Sequence, residues 1–119
     1  MKTFREAIEG RDIEAAIALF AEDAVFRSPA VHRPYQGREQ VAAILRAAFA
    51  VFEDFAYQRE LTDDDGHALV FTARVGDREV EGCDFLRTND SGEITELVVM
   101  VRPLSGLNAL AAAMQQQLG

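Results

Sequence analysis

The chain has 119 residues, 49% hydrophobic and 27% charged, with 20 acidic against 12 basic side chains and a formal net charge of −8. That length suits one domain over residues 1–119, the apolar fraction excludes wholesale disorder, and the negative balance argues against nucleic acid and anionic lipid as partners. A single cysteine, Cys83, excludes an internal disulfide, no apolar run approaches the ~20 residues a membrane span needs, and the N-terminus lacks a signal-peptide pattern, so a cytoplasmic protein is expected.

Thr3-Phe4-Arg5-Glu6 fits a capping box, and Gly10 predicts a left-handed stop, giving a short helix over roughly 4–9. Asp12 caps a second helix, whose Ile13, Ala16, Ile17 and Phe20 recur at helical spacing. Ala24-Val25-Phe26 predicts a short strand stopped by Pro29, and Ser28 to Gly37 predicts a loop. Val41, Ile44, Leu45, Ala48 and Phe52 share one face of a long third helix.

Four strand-like segments follow, near 55–62, 67–75, 78–88 and 93–102, joined by short Asp/Gly and Asn/Gly turns. Such short connections predict antiparallel hairpins, because a parallel crossover needs a dozen or more residues. The tail from Gly106 to Leu118 carries Leu107, Leu110, Ala111, Met114 and Leu118 on one helical face. The order ααβαββββα describes an α+β domain.

Segment 78–88 alternates, with Val80, Gly82, Asp84 and Leu86 on one face and Glu79, Glu81, Cys83, Phe85 and Arg87 on the other. Asp84 therefore falls on the apolar face, an unusual place for a carboxylate without a partner. Leu97-Val98-Val99-Met100-Val101 does not alternate, so both of its faces need cover. Helices account for one face. A homodimer through an outer face bearing Cys83, Phe85, Val98 and Met100 accounts for the other; the alternative folds the C-terminal helix back onto it.

Two helices leading into Leu19-Phe20-Ala21-Glu22-Asp23-Ala24-Val25-Phe26-Arg27-Ser28-Pro29, then Gly37, a long helix and a four-strand meander ending at Arg102-Pro103-Leu104, resemble the nuclear transport factor 2-like superfamily. The likeness is to its SnoaL-like and ketosteroid-isomerase-like branch. It implies a cone-shaped, cystatin-like α+β fold: a curved antiparallel sheet wrapped around three helices, with an extra C-terminal helix. In ketosteroid isomerases the general-base aspartate stands directly before the proline closing the first strand, a position that here resembles Ser28. Their oxyanion-hole tyrosine corresponds to Phe4. Their protonated aspartate matches Asp84 through the spacing Asp84, Arg87, Asn89 and Gly92. A serine cannot abstract an α-proton without its own base, and phenylalanine donates no hydrogen bond, so ketosteroid isomerase activity is not what this resemblance implies.

The residues expected to carry chemistry are Asp84, as a neutral acid or proton shuttle in a dry pocket, with Tyr57, Tyr35 or His32 as polar partner. Ligand contacts are expected from Phe4, Phe26, Ser28, Tyr35, Phe52, Phe71, Leu86, Leu97 and Val99. Tyr57 alternates with Phe55 and Arg59, which leaves its face ambiguous, and the eight phenylalanines either line a cavity or fill the cone. Two separated histidines and one cysteine offer no metal spacing, and Asp63-Asp64-Asp65 is better read as a solvated turn than as a calcium loop. No cofactor is implied. The expected ligand is a small cyclic or aromatic metabolite, bound or transformed by acid–base chemistry; the alternative is a module that only binds a ligand or a partner.

Overall fold

A computed structural model describes residues 2–119. The capping box forms as expected: Thr3 Oγ1 accepts from the Glu6 amide, Glu6 reaches back to the Thr3 amide, and α1 spans Phe4–Glu9. The left-handed residue that ends the turn is Arg11, at φ +58°, and not Gly10, which sits at φ −82°. Asp12 caps α2, accepting from the Ala15 amide at 3.1 Å, but α2 is only Ile13–Ile17. Phe20 already belongs to a strand, because the Leu19 carbonyl turns outward to accept from the Ile94 amide and starts the sheet pairing there.

Strand β1 runs Phe20–Arg27, longer than its apolar core suggests, and the loop after it holds a two-residue strand, β2, Tyr35–Gln36. Gly37, at φ +93°, leads into α3, Arg38–Val51. The meander follows as β3 Glu53–Thr62, β4 Gly66–Val75, β5 Arg78–Thr88 and β6 Ile94–Arg102, and α4, Leu104–Leu118, closes the chain. The six strands make one curved sheet in the order β2-β1-β6-β5-β4-β3. The hairpins are antiparallel as predicted, whereas β1 joins β6 in parallel across most of the sequence.

The alternation of β5 is realised: Val80, Gly82, Asp84 and Leu86 are buried and their neighbours face outward. Gly82 has a specific reason to lack a side chain. It pairs with Phe71 on β4, and a Cβ there would run into the Phe71 ring and the Met100 carbonyl oxygen. The missing side chain lets an aromatic ring lie flat across the inner face of the sheet. Helix α4 packs against α3 and the inner side of β4–β6, with Gly106 against Val80 and Leu110 buried. It does not fold over the outer face, where Met100 remains 58% exposed and Phe85 40%.

Candidate functional site

Sheet, α3, α4 and the first helices enclose a cavity of about 560 Å³, within the range of small-molecule sites. Phe4, Phe26, Phe49, Phe52, Phe55 and Phe71 line it, which answers the question of lining against filling for six of the eight phenylalanines. Phe20 is sealed in the core and Phe85 lies on the outer face. The rings brace one another. Phe55 stacks on Phe71 at 4.7 Å between centroids, and Phe52 and Tyr57 meet this pair nearly edge-on. Such mutual packing favours a wall that keeps its shape without a ligand.

Tyr57 faces inward with Phe55, and a β-bulge between Tyr57 and Arg59 turns Arg59 to the other face. That irregularity breaks the period-two pattern and is why the side of Tyr57 is ambiguous from alternation alone. Asp84 and Tyr57 are each 7% exposed, and Tyr57 Oη donates to Asp84 Oδ2 at 2.7 Å. Among the described residues no other hydrogen bond reaches the carboxyl and no side-chain polar atom is both sealed and unpartnered, so Oδ1 opens into the cavity. Burial pushes the Asp84 pKa up to about 7, against the opposing pull of the Tyr57 hydroxyl. Burial first, then the Asp84 charge, drives Tyr57 well above the usual phenol range and keeps it a hydrogen-bond donor.

The rim is built by the segment after β1. Ser28 Oγ accepts from the amides of Ala30 and Val31 at 3.0 and 3.3 Å, a tight turn that leaves the Ser28 hydroxyl proton free to point at the cavity. Tyr35 lines the same side beside Phe26, and Leu97 and Val99 supply the floor from β6. Two expected contacts are corrected. His32 is carried past the Ser28 turn into solvent and does not line the cavity, and Leu86 shares the face of Asp84 but packs into the core against β6. The rim also contains Glu9, Arg11 and Gln115, and α4 adds Leu110 and Met114. None of these is legible in the sequence as a cavity residue: their positions depend on a left-handed turn and on where the last helix docks.

Asp63 Oδ1 accepts from the amides of Asp65 and Gly66, so the acidic run is a hydrogen-bonded turn. Among the described residues no group of three or more His, Cys, Asp or Glu side chains is placed to hold a metal ion, and no helix is long and apolar enough to cross a membrane. Cys83 sits half-buried on the outer face, and burial pushes its thiol pKa up, away from reactivity. Chemically, the cavity offers one carboxyl that changes charge near neutral pH, held by a phenol within aromatic walls.

The family profile of the SnoaL-like domain matches residues 1–97. No curated protein matches the chain. Among solved structures, a steroid delta-isomerase from Pseudomonas aeruginosa is 47% identical, with a TM-score of 0.90 over 94% of this chain and 83% of its own. An uncharacterized bacterial protein with a cystatin-like fold from Silicibacter pomeroyi is 32% identical, with a TM-score of 0.91 over 97% of this chain and 82% of its own. A protein of ketosteroid isomerase-like fold from Catenulispora acidiphila, solved with trimethylamine, shares the fold at 22% identity and a TM-score of 0.67, over 92% of this chain and 88% of its own.

Proposed function

The chain belongs to the SnoaL-like family of the nuclear transport factor 2-like superfamily, and on that premise we propose that it binds a small cyclic or aromatic molecule and moves a proton on it without a cofactor. The observation that carries this reading is the 2.7 Å hydrogen bond from Tyr57 to Asp84 inside the apolar cavity. With a pKa of about 7, Asp84 is divided between acid and base at neutral pH, so one carboxyl serves both to take a proton and to return it. Tyr57 steadies the ionised form through Oδ2, and Oδ1 is left to face the ligand. The reaction class is a tautomerisation or isomerisation next to a carbonyl.

The relative from Pseudomonas aeruginosa bears an isomerase name, and proton transfer by Asp84 is compatible with that class but assigns the proton differently. Ser28 precedes Pro29 where ketosteroid isomerases carry their base, so Asp84 is the group left for proton transfer. Ser28 and Tyr35 are positioned to donate hydrogen bonds to a ligand oxygen near the rim. The same two replacements, Ser28 and Phe4, favour a second reading, a pocket that binds without turnover.

The test is conversion of a β,γ-unsaturated cyclic ketone to its conjugated isomer in D₂O, followed by absorbance and deuterium incorporation. The proposal expects turnover that rises as pH passes through about 7 and is lost in Asp84→Asn. Saturable binding without deuterium exchange would leave the binding-only reading standing instead.

The outer face supports a homodimer as part of this proposal. Cross-strand rows Ala68–Phe85–Val98 and Val70–Cys83–Met100 lie side by side on it. Glu81–Arg102 and Arg27–Glu96–Arg87 ion pairs flank them, an apolar centre with a charged rim.

A further inference from the structure

We infer that the molecule this cavity takes is an amphipathic anion: an apolar ring system inside, and a carboxylate or similar oxyanion at the mouth against Arg11. The inference rests on the ligand-binding reading above and narrows its substrate class. Arg11 is the only cationic side chain among the residues that line the cavity, and it is exposed, so it marks the mouth while buried Asp84 marks the deep end. Its guanidinium lies 4.6 Å from the centroid of the Phe49 ring, which also lines the cavity, so the group is held in place at the rim.

Two further observations bear on Arg11. Eight of the eleven arginines have a carboxylate within ion-pair distance; Arg11, Arg33 and Arg59 have none among the described residues, nor a side-chain hydrogen bond, and of these three only Arg11 lines the cavity. Its backbone also occupies the left-handed region, at φ +58°, although Gly10 beside it would take that conformation without steric cost. A side chain kept in a disfavoured conformation, unpaired, at the edge of a pocket is where an anionic group is expected to dock. Glu9, the acidic group at the same rim, is engaged by Arg5 Nε at 3.2 Å, which offsets its repulsion. The phenol and carboxyl at the deep end then meet a carbonyl or hydroxyl at the far side of the ligand.

The test uses two fluorescent probes of the same apolar framework, anilinonaphthalene sulfonate and the uncharged phenylnaphthylamine, titrated into wild type, Arg11→Gln, Arg11→Gly and Ala111→Trp. Arg11→Gln and Arg11→Gly are expected to weaken the sulfonate about tenfold and leave phenylnaphthylamine unchanged, with Arg11→Gly melting no lower than wild type because the strain is relieved. Ala111→Trp fills the cavity from α4 and is expected to abolish both. Equal weakening of the two probes, or an unchanged sulfonate affinity in both Arg11 variants, overturns the role of Arg11 while the cavity reading survives. Failure of wild type to bind either probe, or binding that Ala111→Trp leaves intact, overturns the cavity reading and this inference with it.

Discussion

Tyr57 on β3 and Asp84 on β5 do not pair with each other in the sheet, yet their side chains meet over the intervening strand β4 at 2.7 Å. Tyr57 pairs with Phe71 and Asp84 with Leu69, two residues apart on β4, so the two side chains reach each other across the inner face of the sheet, where both are buried. The carboxyl is thereby both desolvated and oriented, which are the two conditions for an acid that works near neutral pH.

Tyr57→Phe removes the hydrogen bond that the phenol gives the carboxyl and keeps the ring packing. The Asp84 pKa is expected to rise above about 7, since that bond opposes the effect of burial; a charge-assisted bond of this kind corresponds to roughly a tenfold change in proton affinity. Titration of the Asp84 carboxyl carbon by NMR in the variant reads it directly, and a fall would mean that the hydroxyl does not favour the ionised form.

The same carboxyl makes stability depend on pH. Its folded pKa of about 7 lies above the ordinary 3.8, so the folded state holds a proton that the unfolded chain releases across that window. Stability from this group is therefore full below about pH 4 and declines as pH rises toward 7, by at most about 4 kcal/mol. Urea denaturation at several pH values is expected to show this slope in wild type and a flatter profile in Asp84→Asn. A wild-type slope that Asp84→Asn retains would assign it to other groups.

Gly82→Ala places a methyl group against the Phe71 ring and the β6 backbone. The overpacking is expected to cost about 1–3 kcal/mol and, because Phe71 lines the cavity, to weaken ligand binding as well. Denaturant midpoints compared at constant slope measure the first effect. An unchanged midpoint would show that the ring has room to move.

How far the sequence reveals the fold and the site differs from element to element. The alternation of β5 places Asp84 inside because a half-buried strand imposes a period of two, and the capping box and Asp12 cap report local hydrogen bonds. What stays hidden is non-local. The two-residue β2 exists only because Phe26 and Val25 offer it a partner, and the parallel β1–β6 pairing joins opposite ends of the chain. A bulge hides the side of Tyr57, and loop position alone brings His32 toward the pocket, whereas the Ser28 turn carries it away. Arg11 gives no signal because glycine, not arginine, is the residue that ordinarily announces a left-handed turn.

Phe85→Glu combined with Met100→Glu places two carboxylates in the centre of the outer apolar rows. For a homodimer through that face, sedimentation equilibrium is expected to give a dimer for wild type and a monomer for the double variant, with the fold retained by circular dichroism. A monomeric wild type would leave the outer face without a second copy.

The measurement that bears most directly on the central claim is the pKa of Asp84 in the wild-type protein, from carboxyl-carbon NMR with Asp84→Asn for assignment. The account predicts titration near 7, with the carboxyl neutral below that and ionised above it. A value close to the ordinary 3.8 would mean a solvated or ion-paired carboxylate, and Asp84 would then be a structural residue, not the proton-transfer group of the cavity.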